Sequence, residues 1–251
     1  MVGIYIHMLL AVATIYRVSS CSLEANESYT HSVIALIGDS LTWGLGASNR
    51  SLTSYPAVLR DIKGVSGVYT VLNFGDSGKT ALNSTGKDSY WNTLTFQMAL
   101  VSNPKIVVIQ LGTNDAKKSF WNETQFKDNY IDMIRLFQRL KSRPAVYISI
   151  PPPLFTSKDP VYGIQPEVVN KVFPILIPDI AMTANKADKD NEFQLVKVID
   201  VFSALGGVNM SFEAAFLIDK SRPIGKWPND RCHLSDIGYR RIAETVIQAI
   251  L

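Results

Sequence analysis

The stretch Val33-Ile34-Ala35-Leu36-Ile37-Gly38-Asp39-Ser40-Leu41-Thr42-Trp43-Gly44 decides how this chain is read. Its first five residues are apolar, and three are β-branched. A short apolar run that stops at a glycine reads as a buried strand rather than a helix. Similar runs recur at Thr70–Phe74, Ile106–Leu111, Ala145–Ile150 and Leu195–Val201. Between them Tyr55–Ile62, Tyr90–Val101, Thr124–Leu140 and Glu167–Ala184 carry helical patterns. The clearest sets Phe126, Tyr130, Met133, Phe137 and Leu140 on one face at spacings of three and four. A last helix starts at Ser235, a good N-cap, and buries Tyr239, Ile242, Val246 and Ile250. Alternating strands and helices with continuous apolar strands predict an α/β fold, a parallel sheet of about five strands covered on both faces. In such folds the site lies beyond the carboxyl ends of the strands.

Four unusual blocks fall there. The first strand ends in Gly38-Asp39-Ser40-Leu41. The second runs into Asn73-Phe74-Gly75-Asp76-Ser77-Gly78-Lys79-Thr80. The third ends in Gly112-Thr113-Asn114-Asp115, and Asp230-Arg231-Cys232-His233 precedes the last helix. A free serine hydroxyl is a weak nucleophile and needs a base. The chain has three histidines, His7, His31 and His233. His7 lies in an apolar leader. His31 precedes the first strand, about 20 Å from Ser40 at the other end. Only His233 can serve Ser40, and Asp230, three residues earlier, can hold one ring nitrogen while the other faces the hydroxyl. An oxyanion would find donors in the backbone N–H groups after the first strand, in Gly78, where no Cβ blocks approach, and in the Asn114 side chain. Taken singly, each of these is an ordinary turn residue or loop histidine.

Together, and in this order, the blocks resemble the GDSL, or SGNH, hydrolases over nearly the whole chain after the leader. That resemblance implies a three-layer α/β/α flavodoxin-like fold and a Ser-His-Asp esterase mechanism. It makes Ser40 the nucleophile and first oxyanion donor, with Gly78 and Asn114 completing the hole. His233 becomes the base and Asp230 the residue that orients it. The longer run of motifs is similar to esterases that act on O-acetylated sugars, including sialate O-acetylesterase-like proteins. Two departures stand out: Leu234 follows the histidine where the family usually has proline, and Gly206–Trp227 looks like an insertion.

Other chemistries fit poorly. With 25 Lys and Arg against 22 Asp and Glu, and no basic stripe, nucleic-acid binding is not expected. Gly78-Lys79-Thr80 ends like a phosphate loop, but the first glycine of that motif would fall at Asn73. Gly-x-Ser-x-Gly is absent, because Leu41 and Thr42 follow Ser40. Asp39, Asp76 and Asp115 lack the histidine partners of a metal site, so no metal or cofactor is expected.

Met1–Tyr16 is an apolar run, too short to span a membrane comfortably and suited to a secretory signal. The reading is a leader at 1–22 and a single esterase domain at 23–251, secreted or in the secretory lumen, without stable membrane insertion. Five acceptor triplets for N-glycosylation, at Asn26, Asn49, Asn83, Asn122 and Asn209, point the same way. Among 14 Asn roughly two would arise by chance. Two cysteines, Cys21 and Cys232, allow one disulfide, and a buried free thiol is the competing expectation.

The expected substrate is a small-molecule or glycan ester with short acyl groups, acetyl first among them. Two other functions compete: lipid or lysophospholipid acyl hydrolysis, and glycan binding without catalysis. Val172–Met182 is a Pro-broken apolar stretch, either an acyl-chain pocket or a kinked covering helix. Trp43, Trp91 and Trp227 near the site loops would stack on sugars or fill the core. Lys79 and Arg231 would steer an acidic substrate or simply be solvated. The oligomeric state is not encoded in any visible pattern.

Overall fold

Each of the five apolar runs becomes a strand, because its side chains are claimed alternately by helices on the two faces of one sheet. The computed structural model describes residues 31–156, 160–188, 192–207 and 230–251. The first strand, β1 (Ser32–Gly38), leads into the one-turn helix α1 (Ser40–Trp43) and then α2 (Arg50–Thr53) and α3 (Tyr55–Asp61). Strand β2 (Tyr69–Gly75), a 3-10 turn at Tyr90–Asn92 and α4 (Leu94–Val101) follow. Then come β3 (Ile106–Gln110), α5 (Glu123–Gln138) and β4 (Ala145–Ile150). A π turn at Val168–Val172 runs into α6 (Phe173–Ala187). Strand β5 (Lys197–Asp200), α7 (Val201–Ala204) and α8 (Asp236–Ile250) end the order.

The strands form one sheet in the order β2-β1-β3-β4-β5. Every pair is parallel. On one face Ala35, Ile37, Val107 and Ile109 pack against Phe96, Phe126, Tyr130 and Phe173 of α4, α5 and α6. On the other, Ile34, Leu36, Ile106 and Val108 meet Tyr55 and Leu59 of α3 and Tyr239, Ile242 and Val246 of α8. This is the expected three-layer α/β/α arrangement. From β1 the chain passes to β2 on one side and then to β3 on the other. The crevice at that switch, beyond the carboxyl ends of β1 and β3, is where such sheets bind ligands.

Two helices differ from their expected form. Tyr90–Val101 is broken at Thr93, whose hydroxyl accepts from the Phe96 N–H at 3.0 Å and starts α4 anew. Glu167–Ala184 begins with the π turn and extends to Ala187 with Pro178 inside. Leu176, Ile177, Ile180 and Ala181 of that helix are buried in the sheet-facing core. The Pro-broken stretch is therefore a covering helix. Trp91 packs edge-on to Phe96, with ring centres 5.3 Å apart, and its indole N–H donates to the Ala81 carbonyl at 2.8 Å. It serves the core. The leader, most of Gly206–Trp227, Trp227 itself, Cys21, Asn26 and Asn209 lie outside the described residues. No helix among the described residues is long and apolar enough to cross a membrane.

Candidate active site

The helix α1 presses onto the ends of β1 and β2, and two glycines make room for it. A Cβ at Gly38 would stand 2.0 Å from the Thr42 Oγ1, and one at Gly75 would stand 2.1 Å from the Trp43 nitrogen. No side chain fits at either place, so the glycine that ends β1 is a packing requirement of the helix that carries Ser40. Asp39 caps this helix, its Oδ1 accepting from the Leu41 N–H at 2.9 Å. Ser40 occupies the first turn, where the backbone N–H has no partner within the helix.

The Ser40 Oγ lies 2.8 Å from the Nε2 of His233. The His233 Nδ1 lies 2.7 Å from the Oδ2 of Asp230. These three residues are 193 positions apart at the extremes, yet they form one hydrogen-bonded line. The spacing of three between Asp230 and His233 works through a turn: Asp230 Oδ1 accepts from the backbone N–H of Cys232 at 2.9 Å and of His233 at 3.0 Å. Asp230 Oδ2 also accepts from the Tyr162 hydroxyl at 2.9 Å. Burial alone would push the Asp230 carboxyl up. The hydrogen bond and charge of His233 and the two backbone N–H groups outweigh it and hold the carboxyl down at about 2.

Leu234, in the place where a proline was expected, is fully buried in the core shared by α3 and α8. Its side chain anchors the loop by packing instead of by ring rigidity. The loop is further held by the Phe155 N–H, which donates to the Arg231 carbonyl at 3.1 Å. Ser235 caps α8, its Oγ accepting from the Gly238 N–H at 3.3 Å.

The loops after β1, β2 and β3 are laced together around Ser40. The Asp76 N–H donates to the Gly38 carbonyl at 2.9 Å. Asn114 Nδ2 donates to the Lys79 carbonyl at 3.2 Å and to Asp39 Oδ2 at 3.4 Å. The first bond is at the upper end of the usual range and the second lies beyond it. Asp115, fully buried, accepts from the Ala81 N–H with both oxygens, at 2.9 and 3.0 Å. Gly78 sits in this lacing with φ +81, and a Cβ there would meet open space within the protein. Its backbone conformation, rather than crowding by protein atoms, selects glycine. Lys79 turns its ammonium onto the Lys87 carbonyl at 2.7 Å, within its own loop.

Two buried acids on the loops at this end of the sheet behave unlike Asp230. Burial raises Asp39 to about 6 and Asp115 to about 7, against the hydrogen bonds each accepts. Cys232 is buried and has no disulfide partner among the described residues, Cys21 lying outside them; burial and then the charge of Asp230 push its thiol up. Among the described residues no cluster of His, Cys, Asp and Glu is arranged to hold a metal ion.

Sequence reasoning passed over Tyr162, and over Gly38 and Gly75 as packing devices. Nothing local marks Tyr162, which reaches Asp230 only through the fold. The glycines were legible as strand ends, but the helix pressed against them was not.

Residues 36–241 match the profile of the GDSL-like lipase/acylhydrolase family. An acetylxylan esterase of Xylanibacter ruminicola is 29% identical over 219 residues, which is 86% of this chain and 42% of that protein. The chain thus spans about two-fifths of that relative's length. Among solved structures, an acetyl xylan esterase superposes with a TM-score of 0.57 at 22% identity, covering 87% of this chain and 100% of the other. A carbohydrate acetylesterase family member from Sinorhizobium meliloti gives 0.62 at 18% identity, covering 87% and 97%. At such identities these two likenesses speak for the fold. With the family profile spanning most of its length and the family's four motif blocks gathered at one end of the sheet, the chain belongs to the GDSL-like lipase/acylhydrolase family of SGNH hydrolases.

Proposed function

We propose that the protein is a serine carboxylic ester hydrolase that removes short acyl groups, acetyl first among them, from a carbohydrate. The observation that carries this reading is the unbroken line from Ser40 Oγ through His233 to Asp230, with bonds of 2.8 and 2.7 Å. In the proposed cycle Ser40 Oγ attacks the ester carbonyl carbon and its proton passes to His233 Nε2. The carbonyl oxygen becomes an oxyanion, met by the N–H groups of Ser40 and Gly78 and by the Asn114 amide. When the C–O bond breaks, His233 returns the proton to the leaving sugar oxygen. Water then attacks the acyl-serine, gives its proton to His233, and releases the acid while Ser40 is restored. Asp230, ionised through the working range, keeps Nδ1 protonated and Nε2 free to accept.

The carbohydrate part of the reading is supported by the acetylxylan esterase relative, which matches 86% of this chain. Burial of the α6 apolar residues in the core removes the feature that had favoured a long acyl chain. Secretion and glycosylation belong to the same proposal. Asn49, Asn83 and Asn122, three of the acceptor positions, are exposed.

The test is hydrolysis of nitrophenyl acetate and of acetylated xylan by the protein and its Ser40→Ala variant. Activity on both that disappears in the variant is expected. Preference for long-chain nitrophenyl esters would move the substrate class to lipids. Glycan binding with no turnover in the parent would make the protein a binding module.

A further inference from the structure

Tyr162 stands out for its backbone. It has φ +55 and is followed by Gly163 with φ +76. Two successive residues with positive φ are what a type I′ turn requires, and such turns favour Asn and Gly. A tyrosine at the first position is strained. The turn is nevertheless firmly built. The Ile164 N–H donates to the Val161 carbonyl at 2.9 Å, and Gln165 donates to the Ala116 carbonyl from its backbone at 3.0 Å and its side chain at 3.1 Å. Lys117 and Ile164 pair as an isolated bridge. The turn is thereby fastened to the loop that follows β3.

What the strain delivers is the Tyr162 side chain on the catalytic pair. Its hydroxyl donates to Asp230 Oδ2 at 2.9 Å, the same oxygen that faces His233 Nδ1. Its ring lies 5.7 Å from the imidazole, tilted by 60°. With this bond Asp230 accepts four hydrogen bonds: two backbone N–H groups on Oδ1, and Tyr162 and His233 on Oδ2. That fills the acceptor sites of a carboxylate and fixes its rotation about the Cβ–Cγ bond. We propose that Tyr162 is a positioning residue, which sets the plane and the charge of the Asp230 carboxylate and through it the aim of the His233 base. The inference rests on the reading of Ser40, His233 and Asp230 as the catalytic line.

Burial, and then the hydrogen bond and charge of Asp230, raise the Tyr162 phenol above its ordinary range, so it stays a donor at working pH. The ionisable groups around the pair are Asp39 from the β1 end, which feels the charge of His233, and Cys232 between Asp230 and His233, while Lys117 from the β3 loop acts on Asp39 and Cys232. Tyr162 is therefore a neutral donor inside a set of charged or buried neighbours. Removing its hydroxyl leaves more negative charge on Oδ2 for the imidazolium and frees the carboxylate to turn.

The test is Tyr162→Phe beside Ser40→Ala, assayed on nitrophenyl acetate across pH. The expected result is a kcat roughly five- to tenfold lower with KM within about twofold. The acid limb of the kcat/KM profile moves to higher pH, and the melting temperature stays near that of the parent. Unchanged kcat and an unmoved acid limb would overturn the proposal. So would a fall confined to the melting temperature, which would make Tyr162 a packing residue only. If Tyr162→Phe does not fold, 3-fluorotyrosine at 162 supplies a stronger donor of nearly the same shape. The acid limb should then move to lower pH, and an unmoved limb overturns the proposal. Ser40→Ala separates the two levels: should it keep full activity, the catalytic reading itself fails, whatever Tyr162 does.

Discussion

Asp230 and the pair Asp39 and Asp115 stand at the same end of one sheet, and their carboxyl groups are driven in opposite directions. Asp230 is held at about 2, while Asp39 is raised to about 6 and Asp115 to about 7. Burial raises all three. The difference lies in what else each oxygen meets. Asp230 has a histidine 2.7 Å away and two backbone N–H groups within 3.0 Å. Asp115 meets backbone N–H groups of the Ala81 and Leu82 loop and its own, but no basic side chain, and it lies in the field of Asp39. Asp39 has the helix N–H of Leu41, its own N–H and a long bond from Asn114, and it meets the charges of His233 and Lys117 only through space, with complete burial outweighing them. A buried carboxylate keeps its charge where donors fill its lone pairs and a basic partner stands opposite, and tends to lose it elsewhere. In the proposed cycle the first kind orients a base, and the second kind holds loops in place.

Asp230→Asn would cut deepest into this contrast. An amide at 230 offers His233 the wrong partner, and kcat should fall on the order of 10⁴-fold with the fold retained. A rate within threefold of the parent would mean that Asp230 is as structural as Asp115. Asn114→Ala comes next. It removes the proposed oxyanion donor and the clamp between Asp39 and the β2 loop, and kcat should drop about 10²- to 10³-fold. A change confined to KM would assign Asn114 to substrate binding.

Asp39→Asn keeps an oxygen for the Leu41 N–H and removes the buried acid. Its effect on kcat should stay below about tenfold. A loss equal to that of Asp230→Asn would erase the distinction between the two regions.

The smallest effect concerns stability. Asp39 and Asp115 have folded values above their ordinary 3.8. Their contribution is whole below pH 3.8 and is lost as pH rises through about 6 and 7. Asp230 has the opposite sign: its contribution is whole above 3.8 and is lost as pH falls toward about 2. Asp115→Asn should therefore shrink the fall in melting temperature between pH 5 and 8, by roughly 3–8 °C. Thermal scans of parent and variant across that range measure it. Parallel curves would remove Asp115 from the account.

Much of this could be read from the residues. All five strands were visible as apolar runs, since strands covered on both faces need apolar side chains on both. Ser40, Asp230 and His233 were visible because chemistry needs rare residue types, and only one histidine lay at the right end. What could not be read depends on contacts distant in sequence. Thr93 is an ordinary helix residue until its hydroxyl caps Phe96. Gly38 looks like a strand end until α1 rests on it. Gly78 was expected to permit close approach, and the fold adds a second reason for glycine that no local pattern showed, its φ of +81. Tyr162 lies 68 residues from Asp230, and no local pattern joins them.

The central claim is that Ser40 is a nucleophile served by His233. Treating the protein with a fluorophosphonate and mapping the adduct by mass spectrometry tests it most directly. One adduct is expected, on Ser40, formed in step with loss of esterase activity and strongly slowed in His233→Ala. Full activity after exhaustive treatment, or an adduct on another residue that accounts for the loss, would contradict it.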